Sequence, residues 1–373
     1  MIEPKTDVII PPIGQSRRGP RRIRRVESAI VSYRTRKRPL VFVVLALMLS
    51  PAACDRPAAR TTGPPPRVYS IAVVGPTATH PQWPAISRGA HKAAERYGNA
   101  RVLTSAPPTA STEALDAVVR EALAAKPDAV CLYVLNPEAV EAAIPLLVES
   151  GALVVTMGAG IANSSFFGHV DSNIPGGAEL LGERLDVIAD GGRSYVLVHE
   201  SGANTLATQC ADRFNLGIRE HYGLQRLDER NASQSTRAAH ELIREMLEQF
   251  PNVAMVVTFN ADAWLAVQPD VLLGPRTRFA TMPATPELWP WVRSGRAAAL
   301  VGPVDGEIGD LAVELAMNGL TSERGGGGVR VVRSELVNAR NLDDFARRYA
   351  DAAGTTVAEL LRAAEKPGAD GAP

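Results

Sequence analysis

Few side chains in this sequence are arranged for bond-making chemistry. The patterns that carry nucleophilic, phosphate-binding or metal-assisted catalysis are missing: there is no Gly-x-Ser-x-Gly elbow, no P-loop, no HExxH pair and no GxGxxG behind the first apolar strand. Gly325–Gly328 is a run of four glycines ahead of a strand, without the lysine or following helix that a phosphate cradle requires. Cys54, Cys131 and Cys210 form no CxxC pair, which argues against a zinc module and a disulfide scaffold. Cys131 falls in an apolar strand and Cys210 on the inner face of a helix, both core positions. What remains is the chemistry of recognition. Trp83, with His80 and Gln82 beside it, follows the first strand and offers a ring face flanked by hydrogen-bonding groups. Amides stand at the ends of later strands, at Asn136 and Asn260. Such groups hold a small polar molecule; they do not transform it, and neither a cofactor nor a metal follows from them.

The elements that must place these residues are short apolar strands alternating with amphipathic helices. Val68–Val74 is a near-continuous apolar run, as for a strand covered on both faces. A helix follows over Pro84–Tyr97, with Ile86, Gly89, Ala90, Ala93, Ala94 and Tyr97 on one face. A second strand near Arg101–Ser105 leads to Ser111, placed to cap a helix whose stripe is Leu115, Val118, Val119, Ala122 and Leu123. Strand three, Ala129–Leu135, ends at Asn136-Pro137, where a third helix starts. Ala152–Met157 is strand four. The rhythm restarts with strands at Ser194–His199, Val253–Thr258, Arg278–Met282 and Ala298–Val301, and with a helix carrying Ala239, Leu242, Ile243, Met246, Leu247 and Phe250 on one side. This alternation predicts parallel sheets with helical crossovers, and two runs of it predict two α/β lobes.

The chain has 373 residues, 46% of them apolar and 21% charged, with 40 basic and 40 acidic side chains. The zero balance hides an asymmetry. The first 53 residues hold 11 Lys/Arg and 3 Asp/Glu, leaving 29 and 37 for the other 320, an excess of eight acids. An acidic body argues against a nucleic-acid partner, which calls for a basic face. The head reads as an address: Arg34, Arg36, Lys37 and Arg38, then the apolar Leu40–Leu49, then Ser50-Pro51-Ala52-Ala53-Cys54. Small residues directly before a cysteine resemble a bacterial lipobox, which implies that Cys54 becomes a lipidated mature N-terminus anchored to a membrane outside the cytoplasm. A plain signal peptide cut nearby is the alternative. Residues 1–33 are long and Pro/Arg-rich for an n-region, as expected if the true start lies at Val26 or Val31. Residues 54–66 form a Pro-rich tether. No apolar run reaches the roughly 18 residues of a membrane span.

From about Val68 to Tyr349 the chain resembles the type I periplasmic sugar-binding proteins, the ribose-binding group in particular. The landmarks are His80-Pro81-Gln82-Trp83 after strand one, Leu135-Asn136-Pro137 after strand three, Asp171-Ser172-Asn173-Ile174-Pro175-Gly176-Gly177, Thr258-Phe259-Asn260-Ala261-Asp262, and Gly306-Glu307-Ile308-Gly309. The resemblance implies two doubly wound parallel-sheet lobes joined by three crossings. The N-lobe would be 67–171 plus 303–328 and the C-lobe 172–302 plus 329–340, with 341–373 a terminal helix and tail. The crossings would lie near Asp171–Asn173, Gly302–Gly306 and Gly328–Val331. Ligand would sit between the lobes.

In this family aromatic faces and a ring of charged or amide groups hold a sugar. The implied ligand set here is His80, Gln82, Trp83, Asn136, Asn204, Thr208 and Asn260: one large ring and mostly neutral donors and acceptors. The family's charged forks are absent where they are expected, at Met157-Gly158-Ala159-Gly160, at Thr208, at Thr281-Met282-Pro283-Ala284 and near Pro303, with Asp305 a shifted substitute and His199 and Glu200 adding polarity. That set implies a small polar, neutral solute, sugar or sugar-like, and weak binding of common pentoses and hexoses. The expected function is a monomeric, non-enzymatic, lipid-anchored solute-binding protein that feeds an ABC permease. A receptor of the same fold signalling to a membrane sensor remains open beside it; a secreted enzyme or the effector half of a transcriptional regulator fits the leader and the motifs less well.

Overall fold

The computed structural model describes residues 67–365 apart from 136, 161–165, 190, 201–204, 221–222, 233–237 and 323–326. The leader, Cys54 and the tether lie outside the described residues.

The first sheet starts with β1 (Tyr69–Val74), whose last four residues are fully buried, as its unbroken apolar run requires. It is followed by α1 (Trp83–Tyr97), β2 (Ala100–Ser105), α2 (Thr112–Ala124), β3 (Ala129–Val134), α3 (Pro137–Ser150), β4 (Leu153–Gly158) and β5 (Gly168–Asp171). Ser111 caps α2, its hydroxyl accepting from the Ala114 amide at 3.2 Å. The chain then builds a second sheet through α4 (Ile174–Ile188), β6 (Ser194–His199), α5 (Thr205–Gly217), β7 (Gln225–Asn231), α6 (Ala239–Gln249), β8 (Met255–Thr258), α7 (Asp262–Ala266), α8 (Pro269–Leu272), β9 (Arg278–Thr281), α9 (Trp289–Arg293) and β10 (Ala297–Gly302). It returns through α10 (Asp305–Thr321) and β11 (Gly328–Val331), crosses once more to β12 (Glu335–Val337), and ends in α11 (Leu342–Ala352) and α12 (Val357–Ala364).

Both sheets have six strands, in the orders β11-β5-β4-β3-β1-β2 and β12-β10-β9-β8-β6-β7. The first is parallel throughout; in the second, β12 runs antiparallel to β10. Helix α10 covers the first sheet: Ile308, Ala312, Leu315 and Ala316 pack with Ile71, Val73, Cys131 and Met157. Helix α11 belongs to the second lobe, where Phe345 and Tyr349 cluster with Trp289. Two strands lie at sheet edges and show it in their composition or exposure. β7 reads QRLDERN, a charged edge strand without an apolar face, the composition that keeps an edge from pairing with another chain. β11 is also an edge, exposed along its length.

The position of β11 corrects one expected boundary. Gly328–Val331 pairs in parallel with Gly168–Asp171 of the first lobe, so the third crossing is 332–334 and not 328–331. Glycine is needed there for contact, not for phosphate: a Cβ at Gly327 would lie 2.0 Å from the Phe167 carbonyl oxygen, and Gly328 has φ of 142°. The first crossing is Ser172-Asn173, with Asn173 in the left-handed region at φ 46°. The Ser334 hydroxyl meets the Asn173 carbonyl at 3.5 Å, so the first and third crossings run side by side.

Candidate functional site

A cavity of about 830 Å³ lies between the lobes, at the C-terminal ends of the strands. This is where open parallel sheets bind small molecules, and the size falls in the upper part of the usual range. The first lobe contributes the β1–α1 loop with His80, Pro81 and Gln82, the end of β3 with Tyr133 and Leu135, and Glu141 of α3. The second contributes His199 and Glu200 after β6, Leu206, Ala207 and Cys210 of α5, the segment Phe259–Asp262 after β8, and Met282-Pro283 after β9. Gly302, Pro303 and Ser334 line it from the crossings.

The β8 loop is pinned from below. The Thr258 hydroxyl accepts from Trp264 Nε1 at 2.9 Å and meets the Thr281 hydroxyl at 2.6 Å, and both hydroxyls reach the Asn260 carbonyl. Above this floor Asn260 gathers two acids: its Nδ2 donates to both Glu200 oxygens at 3.3 Å and to Asp262 Oδ2 at 3.0 Å. Its Oδ1 accepts from the Asp262 amide at 2.6 Å, so the side chain forms the loop's turn as well as lining the cavity. His199 is buried, with Nε2 3.0 Å from Glu229 Oε1. Across the cavity, burial pushes His80 down to about 4, with Asp262 pulling the other way, so His80 is neutral at pH 7.

The described lining residues include three carboxylates (Glu141, Glu200, Asp262) and no lysine or arginine. They add negative charge beside the mostly neutral groups expected from sequence. Asp262 opens α7, where sequence alone reads it as a terminal acid, and Glu141 is the fifth residue of α3. The described lining accepts hydrogen bonds in abundance and attracts positive charge; among the described residues it has no cation to hold an anion.

Of the ligand set anticipated from sequence, the structure brings His80, Gln82 and Asn260 together on the cavity wall. Asn136 and Asn204 lie outside the described residues. Thr208 is exposed on α5, and the lining residues of that helix are its neighbours Leu206, Ala207 and Cys210. Trp83 packs on the first lobe's core, its ring over Gly75, and does not line the cavity. The aromatic rings on the wall are Tyr133 and Phe259 instead. Phe259 is braced edge-on by Phe214, with centroids 5.4 Å apart. Asp305, the suggested substitute acid, is also off the wall: it is 1% exposed and bonded to Gln82 and Tyr349. Cys131 and Cys210 are in different lobes, and burial pushes both thiols up to about 12, out of reach as nucleophiles. Among the described residues no three His, Cys, Asp or Glu side chains stand together as metal ligands, and no helix is long and apolar enough to cross a membrane.

The sequence pattern of the periplasmic binding protein domain matches residues 71–324. Comparison with curated protein sequences finds no match. Solved structures share the architecture at low identity. A solute-binding protein of an ABC transporter from Burkholderia graminis C4D1M, in complex with D-arabinose, is 15% identical, with a TM-score of 0.64 over 74% of this chain and 97% of that one. One from Agrobacterium vitis bound to α-D-tagatopyranose is 18% identical, with a TM-score of 0.65 over 79% and 99%. A chain of the XylFII-LytSN complex is 19% identical, with a TM-score of 0.62 over 74% and 100%.

Proposed function

The chain belongs to the periplasmic binding protein family, and from that premise we propose that it is an extracytoplasmic receptor that closes two lobes on a small polar solute and hands it to an ABC-type importer. The observation that carries this reading is the cavity itself, which both lobes wall and all three crossings border or adjoin. Two bodies joined by short crossings form a hinge, and a ligand bound between them favours the closed arrangement by the difference in its contacts to the two states.

The lining narrows the solute. Tyr133 and Phe259 supply ring faces for C–H surfaces, while Glu141, Glu200, Asp262, Gln82 and the two histidines supply acceptors and donors. A hydroxyl-rich sugar or sugar-like molecule, neutral or carrying a positive group, fits this set; a phosphate ester or a carboxylate does not. Cys54 would tether the receptor to the membrane through an acyl chain. A second reading, a receptor that docks on a membrane signalling partner, draws on the likeness to a chain found in the XylFII-LytSN complex.

The test is mass spectrometry of gently purified protein to identify the co-purifying solute, followed by X-ray scattering with and without it. A lower radius of gyration together with a higher melting temperature is expected. A saturating, tightly bound ligand that leaves the scattering curve unchanged would contradict lobe closure.

A further inference from the structure

Asp305 is the first residue of α10, directly after the crossing whose Gly302 and Pro303 line the cleft. It is buried, and two hydrogen bonds reach it from separate parts of the molecule. Gln82 Nε2 donates to Oδ1 at 2.5 Å, and Gln82 is itself a cleft residue at the start of α1. Tyr349 Oη donates to Oδ2 at 2.7 Å. The Tyr349 ring is fixed edge-on against Trp289 at 5.4 Å, and Trp289 Nε1 donates to the Ala284 carbonyl at 3.1 Å, one residue from Pro283 on the opposite cleft wall. One carboxylate therefore joins the cleft, a crossing and helix α11.

We propose that Asp305 is a positioning residue for the cleft: it holds the Gln82 amide with its carbonyl end available to ligand, and through Tyr349 it ties that orientation to the helix packed on the second lobe. The proposal rests on the reading of the cleft as the ligand site. A primary amide has one donor end and one acceptor end. Committing Nε2 to Asp305 leaves Oε1 as the end that the cleft can use.

The same geometry responds to protons. An ionised Asp305 accepts from both neighbours. A neutral Asp305 has one O–H to give: on Oδ2 it goes to the Tyr349 hydroxyl and leaves the Gln82 bond to Oδ1 weakened but in place, while on Oδ1 it goes to Gln82 only after the amide turns over and presents Nε2 to the cleft. Burial pushes Asp305 up to about 7, with the Tyr349 and Gln82 bonds pulling down and Glu287 pushing further up. The other titratable or charged groups around the pair are Arg88 of α1, which with Glu287 acts on Tyr349, and Tyr133 of β3, raised by its own burial and by Asp305. The protonation that weakens the hold on Gln82 therefore falls near neutral pH.

The experiment is a pH titration, from 5 to 9, of the Gln82 side-chain amide resonances in the ¹⁵N-labelled chain, assigned by their loss in Gln82→Ala. A single transition near pH 7 is expected in the wild type and none in Asp305→Asn. Tyr349→Phe, which removes one donor to the carboxylate, should raise the midpoint by about one pH unit, and it keeps the test open should Asp305→Asn fail to fold. A Gln82 amide insensitive to pH, or a transition that persists in Asp305→Asn, overturns the proposal. None of these readouts needs a ligand. A chain that titrates as expected but closes on no solute would sink the receptor reading and leave the Gln82–Asp305 relay standing.

Discussion

The six-membered ring of Trp83 occupies the space that a side chain at position 75 would need: a Cβ on Gly75 would lie 2.4 Å from Trp83 Cε3. The ring thus seals the end of β1 against the first lobe's core, and its loss is a packing defect. Trp83→Ala is expected to cost about 2–4 kcal/mol of stability, from lost burial and the void left behind. Trp83→Phe should cost less, and Gly75→Ala should also destabilise. Urea unfolding measures all three. Ligand affinity of the folded Trp83→Ala protein that drops a hundredfold would return Trp83 to the binding surface.

Cleft charge makes a prediction about ligand selection. With Glu141, Glu200 and Asp262 on the wall, each partly screened contact with an added negative charge costs on the order of 1 kcal/mol. Any sugar that binds should therefore bind at least tenfold more tightly than its monophosphate. The double variant Glu200→Gln/Asp262→Asn should narrow that gap. Calorimetry finding equal affinities in the wild type would refute the electrostatic account.

Stability should carry two opposed pH dependences. His80, held down to about 4, adds stability that is present above pH 6.5 and lost as pH falls toward 4, on the order of 2–3 kcal/mol in all. Asp305, raised to about 7, does the reverse, losing stability as pH rises from its unfolded value near 4 through about 7. The wild-type profile over pH 4–7 should be flattened by the opposition. His80→Gln should leave a slope that falls with pH, and Asp305→Asn one that rises. Melting temperatures across that window decide it; parallel profiles for the two variants would dismiss both assignments.

Anchoring can be checked at one atom. If the Cys54 thiol carries the lipid, Cys54→Ala should move the protein from the membrane pellet to the soluble fraction, because each buried methylene contributes roughly 0.8 kcal/mol to attachment. Unchanged fractionation would exclude the anchor.

Much of this molecule is written in local periodicity. The unbroken apolar runs of β1 and β6, the stripe on α6, the Ser111 cap and the burial of Cys131 all follow from neighbours within a few residues, and alternation alone implies two parallel-sheet lobes. β7 was illegible because its charges serve an edge, and β12 because three residues are too few to show a period. The choice of residues at the cleft is of a different kind. Trp83 and Tyr133 both lie near strand ends in the first lobe, yet one ring is drawn over Gly75 and the other is left on the wall, a difference set by how α1 crosses the sheet. Glu200 and Asp262 are far apart in sequence until the Asn260 amide bridges them. Asp305 reads as an ordinary acid in a first helical turn, and only the convergence of α1 and α11 on it makes it a buried acceptor. Secondary structure depends on short-range pattern, which a sequence displays. Which side chain meets the ligand depends on the relative placement of elements more than a hundred residues apart, and that is settled only when the whole core packs.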